Sequence, residues 1–173
     1  MLLKTGEIVN KNDFRVSSIL NHPEIYYAHV SFDGNSKETL EEHTDLVLNY
    51  FSRLVEANGI DPLLDDLMTS LSQCVPGANT DLAEFLKTAF TGAVLFHDLG
   101  KINPGFQAEK MGNSQFLNQS RVLGTTHAKL GTYLYLESFV ASAIDEGHFD
   151  AARPDIKEML ILFFLVSFSY PAR

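Results

Sequence analysis

Apolar side chains recur every three or four residues along most of this chain, a spacing that places them on one face of a helix. One such pattern predicts a helix over residues 37–57, with Ser36 as its N-cap and Gly59 just past its end. Further helices are predicted over residues 61–75, 80–99, 106–111, 126–145 and 155–168. Residues 26–32 are compatible with an extended segment. The pattern therefore predicts an all-α domain.

The composition is typical of one globular domain. The chain has 173 residues, of which 45% are hydrophobic and 20% charged, enough apolar side chains for a substantial core. Its single cysteine, Cys74, excludes an internal disulfide and a four-thiolate zinc site, and predicts a reducing cytoplasm as the location. The longest apolar run, Met159–Val166, is too short to cross a bilayer, and Glu7 and Asp13 come too early for a secretory signal. No membrane association is expected.

The net charge of −9 disfavours a surface that coats nucleic acid through lysine and arginine. The charge is unevenly distributed, however. Residues 97–130 carry four basic and two acidic side chains, whereas residues 1–96 carry six basic and fourteen acidic ones. The locally positive middle of the chain also contains two of the histidines that indicate chemistry.

Three histidines, His43, His97 and His127, lie on the apolar faces of three predicted helices. Their imidazoles should therefore point inward, where each unpartnered polar group costs about 1–3 kcal/mol. Taken singly, each histidine is explained by a hydrogen bond to a backbone carbonyl. Together, and with Asp98 directly after His97, they favour a shared metal ion, because imidazole and carboxylate are standard ligands for divalent transition metals.

The pair His97-Asp98 stands where its predicted helix ends, at Gly100. This position allows two adjacent residues to reach one ion, which the middle of a helix does not. The Asp98 carboxylate has two oxygens and could bridge a second ion about 3.5–4 Å from the first. Lys101, just past the helix end, is suited to hold a phosphate oxygen, or alternatively to neutralise the helix dipole.

The segment FHDLGKINPGFQ resembles the signature of the HD phosphohydrolase superfamily, in particular its CRISPR-associated branch, the HD nuclease domain of the type I interference nuclease–helicase. In that branch, HD-x-GK is closely followed by an FQ pair, here Phe106-Gln107. LEEH, ending at His43, is similar to the segment with the first metal-binding histidine of the family. TTHAKLGTYL is similar to the segment with the next one, His127, and YYAHVSFDG around His29 also resembles the family. His29 could join the site or line its mouth. The resemblance covers about residues 26–140.

The resemblance implies a metal-dependent reaction in an HD-domain helical bundle with a metal site in its core. His43, His97 and Asp98 would bind one ion, and Asp98 and His127 would contribute to a second. The implied reaction is cleavage of single-stranded DNA by attack of metal-activated water on a phosphodiester. Because the ligands are rich in imidazole, Mn²⁺, Fe²⁺, Co²⁺ or Ni²⁺ is expected in preference to Mg²⁺.

The remaining implications concern substrate and partners. Asp98 and Lys101 would act in catalysis, and Lys101, Phe106 and Gln107 would contact the substrate, with anchoring of the fold as the alternative for Phe106. The expected partners are single-stranded DNA, a fused or separate helicase module and a guide-RNA surveillance complex. Two other interpretations stay open: an HD phosphohydrolase acting on nucleotides or cyclic nucleotides, and a catalytically inactive HD module used for docking.

The chain departs from the family pattern toward its end. The family continues to a histidine pair and then an aspartate, whereas His148 has no neighbouring histidine and the chain closes with SFSYPAR. Residues 1–173 are therefore expected to be a single HD domain that forms the N-terminal part of a longer nuclease or nuclease–helicase.

Overall fold

A computed structural model describes residues 2–75, 81–119 and 126–145. This part of the chain is mostly helical, as the apolar pattern predicts. Its α-helices are α1 (Thr5–Val9), α2 (Val16–Ile19), α3 (Leu40–Ala57), α4 (Asp61–Gln73), α5 (Leu82–Phe96), α6 (Pro104–Glu109) and α7 (His127–Asp145). Short 3-10 turns cover Pro23–Ile25, Leu99–Ile102 and Ser114–Gln119. Among these residues, no helix combines the length and apolar character needed to cross a membrane.

A small antiparallel hairpin precedes α3. Its strands are β1 (Tyr27–Val30) and β2 (Lys37–Thr39), and the cross-strand partners include His29 with Glu38. The extended segment expected over residues 26–32 is thus present, paired with residues that the apolar pattern places in the next helix. The hairpin is the one departure of the described residues from an all-helical architecture.

The helix predicted from residue 37 begins instead at Leu40. Thr39 is its N-cap: the Thr39 hydroxyl accepts from the Glu42 amide at 3.2 Å, and the Glu42 carboxylate accepts from the Thr39 amide at 2.9 Å. The prediction of Ser36 as the cap was wrong, because residues 37–39 pair with β1 and the capping box forms at the last of them, Thr39. Ser36 instead accepts a backbone hydrogen bond from Ser31 within the hairpin.

The other predicted helices within the described residues are present, and the one predicted over residues 106–111 begins two residues earlier, as α6. α4 and α7 have nearly the predicted extents, and α5 ends at Phe96, after which the chain tightens into the 3-10 turn Leu99–Ile102. The predicted helix over residues 155–168 and the predicted cap Thr80 lie outside the described residues.

α5 runs through the centre of the domain. Eleven of its fifteen residues are buried, and α1, α3, α4 and α7 all contact it. On α7, Tyr135 is fully buried and its hydroxyl donates to the Ala89 carbonyl oxygen at 2.9 Å. Because α5 is held from several sides, the residues directly after it, His97 and Asp98, have a fixed position.

Gly100 allows α7 to approach the turn that follows Asp98. A Cβ atom at Gly100 would overlap the carbonyl oxygen of His127, whereas one at Gly131 would stay 3.4 Å from its nearest neighbours. We expect Gly100→Ala to lower the free energy of unfolding by at least about 2 kcal/mol, because the backbones must separate. Gly131→Ala, on the other side of the same contact, should change it by no more than about 1 kcal/mol. Urea unfolding of both variants tests this, and equal stabilities would contradict it.

Candidate metal centre

Two helices, α3 and α5, and the β1–β2 hairpin bring the candidate ligands together. His43 lies in the first turn of α3, which the capping box at Thr39 fixes in place. His97 is the C-cap of α5, and Asp98 precedes the 3-10 turn. The β1–β2 hairpin lies beside α3 and contributes His29 and Glu38.

Three side-chain atoms with lone pairs converge between α3 and the end of α5. The Nε2 atoms of His43 and His97 lie 3.4 Å apart. Asp98 Oδ2 lies 3.2 Å from His43 Nε2 and 3.4 Å from His97 Nε2. The three side chains are 16%, 23% and 16% exposed in the order His43, His97, Asp98, so the cluster is largely but not fully shielded from solvent. The structure thus joins three of the four predicted metal ligands in a group that could hold an ion.

The separations fit a first-row divalent ion. Such ions hold nitrogen and oxygen ligands at about 2.0–2.2 Å, which places two ligands of a tetrahedral site about 3.4 Å apart and neighbouring octahedral ligands about 3.0 Å apart. The observed distances of 3.2, 3.4 and 3.4 Å fall within this range. Two imidazoles and one carboxylate leave further coordination positions for water and substrate.

The orientation of the His97 ring is fixed by its own helix. Its Nδ1 atom lies 2.7 Å from the carbonyl oxygen of Val94. Because a carbonyl only accepts hydrogen bonds, Nδ1 carries the proton and Nε2 presents its lone pair to His43 and Asp98. A hydrogen bond to a backbone carbonyl was the alternative to metal binding for His97. The bond to Val94 is of this kind, and it also orients His97 as a ligand.

The electrostatics of the cluster centre on Asp98. Burial raises its pKa, but the hydrogen bond from His43, the nearby His97 and the Lys101 ammonium outweigh burial and hold the pKa well below its usual range. The same hydrogen bond raises the pKa of His43, whereas burial lowers the pKa of His97. The carboxylate is therefore ionised, and a cation bound here would take the place of the proton between His43 and Asp98.

Lys101 is turned toward the ligands. Its side chain is 9% exposed, and Nζ donates to Asp98 Oδ2 at 2.7 Å and to the Ala28 carbonyl oxygen at 3.1 Å. This arrangement makes Lys101 the counter-ion of Asp98 and links the metal-ligand cluster to β1. Its predicted contact with a phosphate oxygen stays a prediction.

Gln107 has a different environment from the one that the motif implies. It is fully buried, and its amide nitrogen donates to the carbonyl oxygens of Tyr27 and Lys101 at 2.9 and 2.8 Å. Its amide oxygen accepts from the Tyr27 amide and from Asn113 Nδ2, both at 3.0 Å. With both hydrogens and the oxygen so engaged, Gln107 holds β1 against the turn after Asp98, and contact with substrate stays a prediction.

The ring of Phe106, on α6, packs against the ring of His127, the first residue of α7. Their ring centroids are 4.8 Å apart. Within the described residues, the groups of close metal-ligating atoms do not include His127, so a second ion held by Asp98 and His127 stays a prediction. The contact supports the anchoring alternative for Phe106.

Two residues near His43 were not among the predicted ligands. Glu38 Oε2 lies 3.3 Å from His43 Nδ1, and the His29 ring packs edge-on against the His43 ring with centroids 4.6 Å apart. His29, Glu38 and His43 form a second group of close ligating atoms. The alternation of residues across a hairpin is the signal that would have found Glu38, had residues 37–39 been assigned to a strand.

An open cleft adjoins this side of the cluster. It encloses about 670 Å³, and its lining includes His29, Lys37 and Glu38. Lys37 Nζ lies 4.8 Å from the ring centroid of Tyr27, so a cation and an aromatic ring lie together near the cleft.

No protein-family model, curated protein or solved structure matches this chain. What the site can do chemically therefore follows from its side chains.

Proposed function

We propose that this protein is a metal-dependent phosphodiesterase of the HD type that cleaves single-stranded DNA. The observation that supports this most directly is the meeting of His43 Nε2, His97 Nε2 and Asp98 Oδ2 at 3.2–3.4 Å from one another. Three lone-pair donors repel one another at such distances unless a proton or a metal ion lies among them. The resemblance of FHDLGKINPGFQ to the HD signature points to the same chemistry.

In this proposal His43, His97 and Asp98 hold the ion. When bound, a divalent ion supplies Lewis acidity and a water of lowered pKa close to neutral pH. Asp98 brings the negative charge of the site, and Lys101 keeps that carboxylate ionised and oriented through its 2.7 Å contact. Val94 keeps the His97 ring turned toward the ion through the hydrogen bond to Nδ1.

The choice of single-stranded DNA as substrate is supported by the resemblance and by the surroundings of the cluster. An acidic chain can act on DNA when the local field comes from a bound ion and nearby lysines, so the net charge of −9 is no obstacle. The cleft beside the cluster is lined by Lys37 as well as by Glu38 and Glu42, and the Tyr27 ring lies close to Lys37, so one cation and one aromatic ring are placed there for phosphate and base contacts.

The wider setting follows from the family resemblance. The proposed role is CRISPR type I interference in the cytoplasm, with DNA presented by a helicase module and a guide-RNA surveillance complex. The expected ion is Mn²⁺, Fe²⁺, Co²⁺ or Ni²⁺, since the donor set is rich in imidazole. A second ion would use Asp98 and His127.

The test compares substrates and a ligand variant. Protein loaded with Mn²⁺ or Co²⁺ is expected to degrade a single-stranded oligodeoxynucleotide, and His43→Ala should lose both metal binding and cleavage. His22→Ala is the matched control, since the His22 side chain is exposed and, within the described residues, forms its ionic contact with the exposed Glu24. Hydrolysis confined to mononucleotides or cyclic nucleotides would favour a nucleotide phosphohydrolase. Metal binding without hydrolysis of any phosphoester would favour a docking module.

A further inference from the structure

The hairpin places a carboxylate on the far side of a predicted metal ligand. Glu38 and His29 are cross-strand partners of β1 and β2. Glu38 Oε2 lies 3.3 Å from His43 Nδ1, while Asp98 Oδ2 lies 3.2 Å from His43 Nε2. His43 is thus held between two carboxylates, one on each ring nitrogen.

This arrangement matters because a neutral imidazole binds a metal only through the nitrogen that carries no proton. A carboxylate at Nε2 alone would draw the single ring proton to Nε2 and block the lone pair that faces His97. A carboxylate at Nδ1 draws the proton to the other side. For His97 the Val94 carbonyl does the same at 2.7 Å. Both rings thereby have an acceptor at Nδ1, so each can keep a proton there when a cation displaces the proton between His43 Nε2 and Asp98.

Resting on the proposed metal-dependent function, we infer that Glu38 is a positioning residue of the metal centre. It accepts the Nδ1–H of His43 and holds the Nε2 lone pair toward His97 and Asp98, without itself binding the ion. The edge-on contact of His29 with the His43 ring, at 4.6 Å between centroids, restricts rotation of the same ring. The hairpin is in this way part of the site and not only a cover for α3.

The first test measures Co²⁺ affinity by calorimetry and by the absorption bands of the bound ion. Glu38→Ala should bind Co²⁺ about 10–100-fold more weakly than the wild type, the usual effect of losing the partner of a ligating histidine. Glu38→Gln keeps an acceptor oxygen and should lose less. The absorption bands should keep their positions, because the ligands are unchanged. Glu24→Gln, which alters an exposed glutamate–histidine pair, is the matched control. Unchanged affinity in Glu38→Ala, or shifted bands that mark Glu38 as a ligand, would overturn the inference.

The second test needs no metal. Nitrogen-15 NMR of the His43 ring at alkaline pH reports which nitrogen carries the proton. The population with the proton on Nδ1 should fall in Glu38→Ala and persist in Glu24→Gln. If the wild type binds no Co²⁺ yet this shift occurs, the proposed function fails while the positioning by Glu38 stands. If the populations do not change, the positioning role is wrong whatever the metal affinity.

Discussion

Asp98→Asn is expected to abolish metal-dependent hydrolysis while the protein stays folded. The substitution keeps the shape of the side chain and an oxygen that can accept from Lys101, but it removes the one negative charge among the three converging donors. Two neutral imidazoles then face a cation without a carboxylate. We expect Co²⁺ binding to weaken by more than about 100-fold and cleavage of single-stranded DNA to fall by about 10³-fold or more.

The control for this variant is Asp45→Asn. Asp45 forms an exposed pair with Arg15 at 3.4 Å, and both side chains are nearly half exposed, so its loss should change neither metal affinity nor cleavage. Circular dichroism and thermal unfolding establish that both variants keep their helices. If Asp98→Asn cleaves DNA at the wild-type rate, the Asp98 carboxylate is not needed for cleavage and the proposed HD chemistry is wrong.

The meeting of His43, His97 and Asp98 was accessible from the sequence because it depends on helix periodicity. A histidine three or four residues from apolar neighbours is placed toward the packed face of its helix, and the packed faces of α3 and α5 meet. Within the described residues, the same spacing in α7 did not bring His127 into the group of ligating atoms. Gly100 also predicted a helix end close to His97 and Asp98, although α5 ends at Phe96, three residues before the predicted end.

The environment of the turn after Asp98 was not accessible in the same way. Lys101 and Gln107 belong to a motif that suggests substrate contact, yet their side chains are buried against β1. Their partners, Ala28 and Tyr27, are more than seventy residues away along the chain. Contacts of this kind depend on where the hairpin lies, and no local pattern encodes that position.

Glu38 illustrates a conflict between two local patterns. Residues 37–39 follow the predicted cap Ser36 and were therefore assigned to the helix, but they pair with β1, and tertiary pairing decides their conformation. Once Glu38 is in a strand, its side chain lies 3.3 Å from the His43 ring on α3 instead of lying on the solvent face of a helix. A single misassigned turn of helix thus concealed a residue of the site.

Lys87→Met is expected to be the most destabilising of the substitutions considered. Lys87 lies on α5 and is fully buried, and its Nζ contacts Asp65 Oδ1 at 2.6 Å and Asp61 Oδ1 at 2.9 Å on α4. Asp61 in turn accepts from the amide and the hydroxyl of Thr5 on α1. Removing the cation leaves two partly buried carboxylates facing an apolar side chain. We expect a loss of about 3 kcal/mol in the free energy of unfolding and of about 10 °C in melting temperature.

Two further variants show whether the loss of stability in Lys87→Met comes from the lost ion pairs or from changed packing of the side chain. Lys129→Met, at an exposed position of α7, should leave stability within about 0.5 kcal/mol of the wild type. The double variant Lys87→Met with Asp65→Leu should recover part of the loss, because it removes one of the two unpaired carboxylates. A double variant no more stable than Lys87→Met would mean that packing, and not the uncompensated charge, explains the effect.

The same contacts predict how the loss depends on pH. Burial raises the pKa of Asp61, but hydrogen bonds from Thr5 and Lys87 outweigh burial and lower the pKa below its usual value. A carboxyl group with a lowered pKa in the folded state stabilises the fold above its unfolded pKa of about 3.9, and this contribution disappears as the pH falls through the folded pKa. Without Lys87, protonation of the partly buried Asp61 carboxylate relieves its unpaired charge. The difference between wild type and Lys87→Met should therefore be largest near neutral pH and narrow below about pH 4, as urea unfolding across this range would measure. A difference that does not vary with pH would show that Asp61 is not a charged partner of Lys87.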